Sequence, residues 1–245
     1  MTNTLGYLHS VESGAAADGP GVRFVYFMQG CLFRCLYCHN PDTWKIHAGR
    51  AVTLDEALTE LRPYAGFLKI AGGVTVSGGE PLLQAPFVGD LLTHIKKELG
   101  LSTALDTQGF LHTSVPDSWF DPVDLVLLDI KHADPEAYLK LTGKPLQPTL
   151  DFAQRLARLN KPFWLRYVLV PGVTDGEADI LRLADFVASL GKVVERVDIL
   201  PFHQLGAFKW KELNLPYTLE NTPPPTLDSI AHTSALFASR GLPIV

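Results

Sequence analysis

The chain has 245 residues, 47% of them hydrophobic and 19% charged, with a formal charge of −5. That length can bury the core of one large α/β domain, while the mild acidity excludes a general attraction to nucleic-acid phosphates, which needs a basic surface. No run of about eighteen apolar residues could span a bilayer, and the opening residues 1–14 lack the basic region and apolar run of a secretory signal, so a cytoplasmic protein without membrane contact is expected.

Apolar runs alternate with helical patterns along the chain. The first strand is expected over Val22–Met28, and Thr53-Leu54-Asp55-Glu56 reads as a capping box opening a helix to about Tyr64. A strand at Gly73–Val76 precedes a helix from Pro86 to Leu99. Further strands are expected at Ser102–Leu105, Leu125–Leu128, Trp164–Leu169 and Val194–Leu200, with helices at Pro135–Leu141, Leu150–Leu159, Ala178–Leu190 and Leu227–Ser239. Pro223, Pro224 and Pro225 mark an extended connection before the last helix. Strands alternating with helices of this length predict βαβ units with right-handed crossovers. The expected fold is α/β: one domain over residues 1–245, a partial (β/α)6 barrel with a curved parallel sheet.

All three cysteines lie within eight residues, at Cys31, Cys35 and Cys38. An odd, closely spaced set makes a poor disulfide framework and suits a reducing compartment. A four-iron cluster normally takes four cysteine ligands, so three thiolates leave one iron open to another ligand. A Cys3His zinc site using His39 is the competing use, but adjacent residues cannot readily both reach one tetrahedral ion, and structural zinc sites pair two separated chelating arms. An electron carrier or a partner-binding scaffold would leave the polar residues at the later strand ends without a purpose.

Those strand ends matter because active sites of parallel α/β folds gather at the carboxyl ends of strands. The cysteine loop follows the first strand, Ser77-Gly78-Gly79-Glu80-Pro81 the second, Asp106-Thr107-Gln108-Gly109 the third and Asp129-Ile130-Lys131 the fourth. Arg166 lies within the fifth strand, and Pro201-Phe202-His203 follows the sixth.

The pattern Cys31-x3-Cys35-x-Tyr37-Cys38 resembles the radical S-adenosylmethionine superfamily. The resemblance implies a [4Fe-4S] cluster on the three thiolates, with S-adenosylmethionine chelating the fourth iron and cleaved reductively to a 5'-deoxyadenosyl radical. Asp18-Gly19-Pro20-Gly21-Val22-Arg23, Cys38-His39-Asn40, Ser77–Pro81, Leu105-Asp106-Thr107, Leu128–Lys131, Arg166–Gly172 and Leu200–His203 are similar to the glycyl-radical-enzyme activases over nearly the whole chain. Many of those carry an inserted ferredoxin-like segment with further cysteines. Their absence here favours pyruvate formate-lyase as the protein substrate, with another glycyl-radical enzyme or a small molecule as the alternative. The same resemblance implies a reduced flavodoxin or ferredoxin as electron donor, and a monomer is expected.

Gly78 and Gly79 lack Cβ atoms, so backbone carbonyls there can approach the methionine ammonium, and Glu80 can hold that loop or accept a hydrogen bond. Tyr37 offers a flat face to adenine or packs within its own loop. Asp106, Thr107 and Asp129 supply oxygens suited to a monovalent cation beside the methionine carboxylate, with helix capping as the alternative for either aspartate. Lys131 and Arg166 suit the carboxylate and ribose, or form ion pairs. His39, Val168 and His203 complete the expected cofactor-binding set, although a histidine such as His203 also serves structurally. Asp18-Gly19-Pro20-Gly21 reads as a turn, and the resemblance implies that it lines the entry for the glycine-bearing loop of the protein substrate, with Asp18 available to bond its backbone.

Overall fold

The computed structural model describes residues 4–244. The strands are β1 (Gly6–Ala15), β2 (Val22–Met28), β3 (Arg50–Val52), β4 (Gly72–Gly78), β5 (Ser102–Thr107), β6 (Leu125–Asp129), β7 (Phe163–Leu169) and β8 (Val194–Pro201). The helices are α1 (Leu54–Leu61), α2 (Ala65–Ala71), α3 (Ala85–His94), α4 (Pro135–Thr142), α5 (Gln147–Arg158), α6 (Glu177–Ser189), α7 (Ala207–Glu212) and α8 (Leu227–Ala238). All strands belong to one open sheet in the order β3-β1-β2-β4-β5-β6-β7-β8. Strands β2 and β4, β4 and β5, and β7 and β8 pair in parallel.

The six expected strands are β2 and β4–β8, running in chain order as βα succession requires. Two more, β1 and β3, extend the sheet at one edge by antiparallel pairing. Their absence from the sequence reading has a physical cause. Only the start of β1 is buried and most of it is exposed, so it carries little apolar alternation. Strand β3 has three residues, too few for any period.

Contacts divide the chain into two compact units, residues 1–32 with 43–127, and residues 33–42 with 128–245. In the first, β2 and β4 bury Phe24, Val25, Tyr26, Val74 and Val76, and helices α1 and α3 bury Leu58, Phe87, Val88 and Leu91. Helix α1 opens on the expected capping box: Thr53 Oγ1 accepts from Glu56 N–H, and Glu56 Oε2 accepts from Thr53 N–H at 2.7 Å. It ends at Leu61, where a tighter turn, Arg62–Tyr64, carries Pro63 and the chain restarts as α2. Helix α3 likewise stops at His94 and passes into a π turn, Ile95–Leu99, before Gly100 in the left-handed region.

In the second unit, β7 alternates fully buried Phe163, Leu165, Tyr167 and Leu169 with half-buried Trp164, Arg166 and Val168. Tyr167 meets Phe237 of α8, with ring centroids 5.7 Å apart, and α6, which packs on α8, buries Ile180, Leu183 and Val187. Asp134 caps α4 through bonds from the N–H groups of Glu136 and Ala137, with Pro135 at the first helical position and Gly143 ending the helix at φ +72°.

Candidate active site

In the first unit, two strand-end loops lock together. After β2, Gly30 N–H donates to Thr43 O and Cys31 N–H to Trp44 O. After β4, Gly79 N–H donates to Met28 O and Glu80 N–H to Gly30 O, each at 2.9 Å. The glycines permit this approach. A Cβ on Gly79 would stand 2.1 Å from Gly30 O, and one on Gly78, whose φ is +108°, would stand 2.2 Å from Met28 N. Gln84 braces the same region by accepting from Tyr7 N–H and donating to Tyr7 O and Gln29 O.

Glu80 is buried at this junction and accepts from Leu82 N–H, Thr107 Oγ1 and Gln108 N–H. Burial pushes its carboxyl up to about 7, against the pull of those three donors. Ser77 Oγ donates to Asp106 Oδ2 at 2.6 Å. Two of the three expected cation ligands therefore already serve neighbours, Asp106 binding Ser77 and Thr107 binding Glu80. Gln108, absent from the expected set, donates from Nε2 toward Cys31 Sγ at 3.7 Å and Gly79 O at 3.4 Å.

Asp18 lies in the turn before β2, where its carbonyl accepts from Thr75 Oγ1 at 2.6 Å. The turn is gripped by Arg23, whose guanidinium is wholly buried and donates to Thr75 Oγ1, Val74 O, Ser102 Oγ and Pro20 O. Burial lowers its pKa to about 10, which leaves it charged at neutral pH.

In the second unit, Tyr37 is buried in a cluster with Leu141, Val170, Phe202 and Leu219, and Val168 packs on that cluster. Its hydroxyl has no hydrogen-bond partner among the described residues. Lys131 lies over the Tyr37 ring, 5.5 Å from its centroid, and pairs with Asp129 at 2.9 Å. Burial opposes the charge of this lysine, but the Asp129 carboxylate acting together with the neighbouring Tyr37 and Cys35 raises its pKa well above the ordinary lysine value. Asp129 is thus the third expected cation ligand with an existing partner. Arg166 sits opposite Asp198 in the β7–β8 register.

The rings of His39 and His203 lie 4.2 Å apart, with His39 Nε2 3.4 Å from His203 O. Burial, then the neighbouring His203, lowers the His39 pKa, favouring the neutral ring. Trp210 Nε1 donates to Cys38 O, and Lys209 binds Asn40 and Asp42, so α7 fastens the end of the cysteine loop.

Among the described residues no three Cys, His, Asp or Glu side chains converge on a point where one ion could sit. A four-iron cube takes each thiolate to a different iron and so spaces its ligands more widely. The donor set, three soft thiolates with a carboxamide N–H beside one of them, fits an iron–sulfur cluster.

This fold and donor set define a radical S-adenosylmethionine protein. The family model described as the Radical SAM superfamily matches residues 25–184, and the chain belongs to that superfamily. Over 233 residues, 92% of each chain, it is 49% identical to the pyruvate formate-lyase-activating enzyme of Staphylococcus epidermidis, and it is 48% identical to that of Staphylococcus aureus over the same coverage; within the superfamily it is an enzyme of this activating family. A solved domain of the Bacteroides vulgatus pyruvate-formate lyase-activating enzyme aligns with a TM-score of 0.58 at 26% identity, covering 71% of this chain and 98% of that one. Streptococcus suis SuiB bound to S-adenosylmethionine aligns with a TM-score of 0.69 over 93% of this chain and 50% of that one, and at 15% identity it shares the fold alone. Membership implies a [4Fe-4S] cluster and S-adenosylmethionine as cofactors and a glycyl-radical enzyme as substrate. Among the described residues, no helix is long and apolar enough to cross a membrane.

Proposed function

We propose that this chain activates pyruvate formate-lyase by removing one hydrogen from the α-carbon of a specific glycine, with residues 1–245 acting as one catalytic domain. The observation that carries the reading is the 49% identity over 92% of the chain to an enzyme of that name, joined to a cysteine count of three. When bound, the cluster and S-adenosylmethionine supply a one-electron reductive cleavage whose carbon radical abstracts that hydrogen.

The chain's residues hold and orient. Cys31, Cys35 and Cys38 are the cluster ligands. Gly78 and Gly79 bring backbone carbonyls toward the methionine ammonium, and Glu80 keeps their loop in register through its three donors. Lys131, already charged and supported by the Tyr37 ring, and Arg166 answer the carboxylate and ribose. His39, Val168 and His203 border the nucleoside. Asp106, Thr107 and Asp129 supply oxygens suited to a monovalent cation beside the methionine carboxylate. Asp18 meets the substrate backbone, no side chain need act as acid or base, and a reduced flavodoxin or ferredoxin delivers the electron to a monomeric, cytoplasmic enzyme.

The test is anaerobic reconstitution with iron and sulfide, then mixing with S-adenosylmethionine, a reductant and pyruvate formate-lyase. A doublet glycyl signal in electron paramagnetic resonance, with one 5'-deoxyadenosine formed per radical, is expected. Formation of 5'-deoxyadenosine without that signal would assign a different substrate. A fully iron-loaded protein that forms none would end the enzymatic reading.

A further inference from the structure

We infer that Gln108 sets the reduction potential of the cluster by donating a side-chain N–H to the Cys31 sulfur; the inference rests on the cluster reading above. Gln108 follows β5 directly and is 7% exposed. Its Nε2 carries two hydrogens and faces two acceptors, Cys31 Sγ at 3.7 Å and Gly79 O at 3.4 Å. Rotating the carboxamide by half a turn would set Oε1 against both acceptors, so the environment itself selects the donating orientation.

The donor is also fixed from behind. Gln108 N–H is bound to Glu80 Oε2 at 3.2 Å and Gly109 N–H to Thr107 Oγ1 at 2.9 Å. The acceptor side is held by the Gly79 contact, since a Cβ there would lie 2.1 Å from Gly30 O and 3.3 Å from Cys31 Cβ. Donor and sulfur are thus pinned by three interlocked strand-end segments, and neither can drift from the other cheaply.

The other end of the side chain shows that it is no mere filler. Gln108 Oε1 is buried with no hydrogen-bond partner among the described residues, a costly arrangement for a polar atom. An apolar side chain of the same length would fill the space without that cost. What it would lack is the N–H on the thiolate.

One-electron reduction adds negative charge that spreads onto the ligating sulfurs. A fixed N–H donor stabilises the reduced form more than the oxidised form and so raises the potential, the more strongly in a buried site of low dielectric. Gln108 in this view makes the cluster easier to reduce. It is a positioning and tuning residue, since it acts through Cys31.

The experiment is a potentiometric titration of reconstituted wild-type and Gln108→Met protein, followed by the paramagnetic signal of the reduced cluster. Methionine keeps the length and removes the donor. The variant's midpoint should move negative by the equivalent of a tenfold loss in the reduction equilibrium, about 59 mV for one electron. Iron content and the spectral change on adding S-adenosylmethionine should match wild type. An unchanged midpoint overturns the inference. Should the variant fail to retain iron, wild-type protein labelled with 15N-glutamine decides the matter: nitrogen and exchangeable-proton couplings to the reduced cluster support the bond, and their absence overturns it. Wild-type protein that takes up no iron would instead remove the cluster reading on which the inference stands.

Discussion

Gly79 has no room for even a methyl group, because the nearest obstacle is the carbonyl of Gly30, which is bound to Glu80 N–H and adjoins Cys31. Gly79→Ala should cost about 1–3 kcal/mol as an overpacked contact and should displace Cys31, so that iron retained after reconstitution falls below wild type; full retention with unchanged thermal stability would contradict it. Asp18 poses a different question, since its carbonyl is held by Thr75 while its turn is gripped by Arg23. Asp18→Ala is expected to slow glycyl-radical formation on the protein substrate by more than it weakens S-adenosylmethionine binding, and equal losses in both would contradict that role. The cysteines and the Gly78-Gly79-Glu80 run were legible in sequence because ligand spacing and glycine pairs are local patterns. Gln108 and Ser77 were legible only as members of their strand-end runs, and their partners were not, since the sulfur that Gln108 faces is 77 residues away and the carboxylate that Ser77 binds is 29 away. Gln84 was not singled out at all: a polar residue announces a role only when its partners are known.

At the scale of elements, the capping box of α1 was readable because both of its hydrogen bonds span three residues. Thr53→Ala should cost about 1 kcal/mol and speed amide exchange in the first turn of α1, leaving α5 and α6 unaffected. The junction of β5 and β6 depends on Asp124, which accepts from Thr103 N–H and Thr103 Oγ1 and pairs with Lys96. Burial tends to raise this carboxyl, but the Lys96 ammonium and the Thr103 donors prevail and hold it below its ordinary 3.8. A depressed carboxyl stabilises the fold above its unfolded value and loses that contribution as pH falls through the folded value. Unfolding of Asp124→Asn should therefore show a shallower acid limb below about pH 4, with little difference in slope from pH 5 to 8. An unaltered acid limb would show that Asp124 contributes nothing to it. Helix ends were less legible than helix bodies. Whether α3 continued to Leu99 as an α-helix or passed into a π turn depended on packing that periodicity does not encode.

Across the whole molecule, most buried apolar side chains come from strands and helices, with others from connecting segments, and among the described residues the cysteine loop contributes Cys31, Phe33, Cys35 and Tyr37. The protein without iron should therefore keep its far-UV circular dichroism and a cooperative thermal transition, unlike small domains that fold only around their metal; collapse of the helical signal on iron removal would refute this. By itself the sequence determined the α/β class, the six-strand succession and the three-cysteine motif of the superfamily, because hydrophobic period and cysteine spacing act over a few neighbouring residues. Only the tertiary structure revealed the antiparallel edge of β1 and β3, the locking of the Gly79 loop onto Gly30, the buried grip of Arg23, the pairing of Lys131 with Asp129 above Tyr37, and the donor that Gln108 turns toward Cys31. Most of these contacts join residues dozens of positions apart, and the short-range pairing of Asp129 with Lys131 takes its strength from burial. Such interactions depend on burial, register and the room left by a missing Cβ, all of which exist only once the chain has folded.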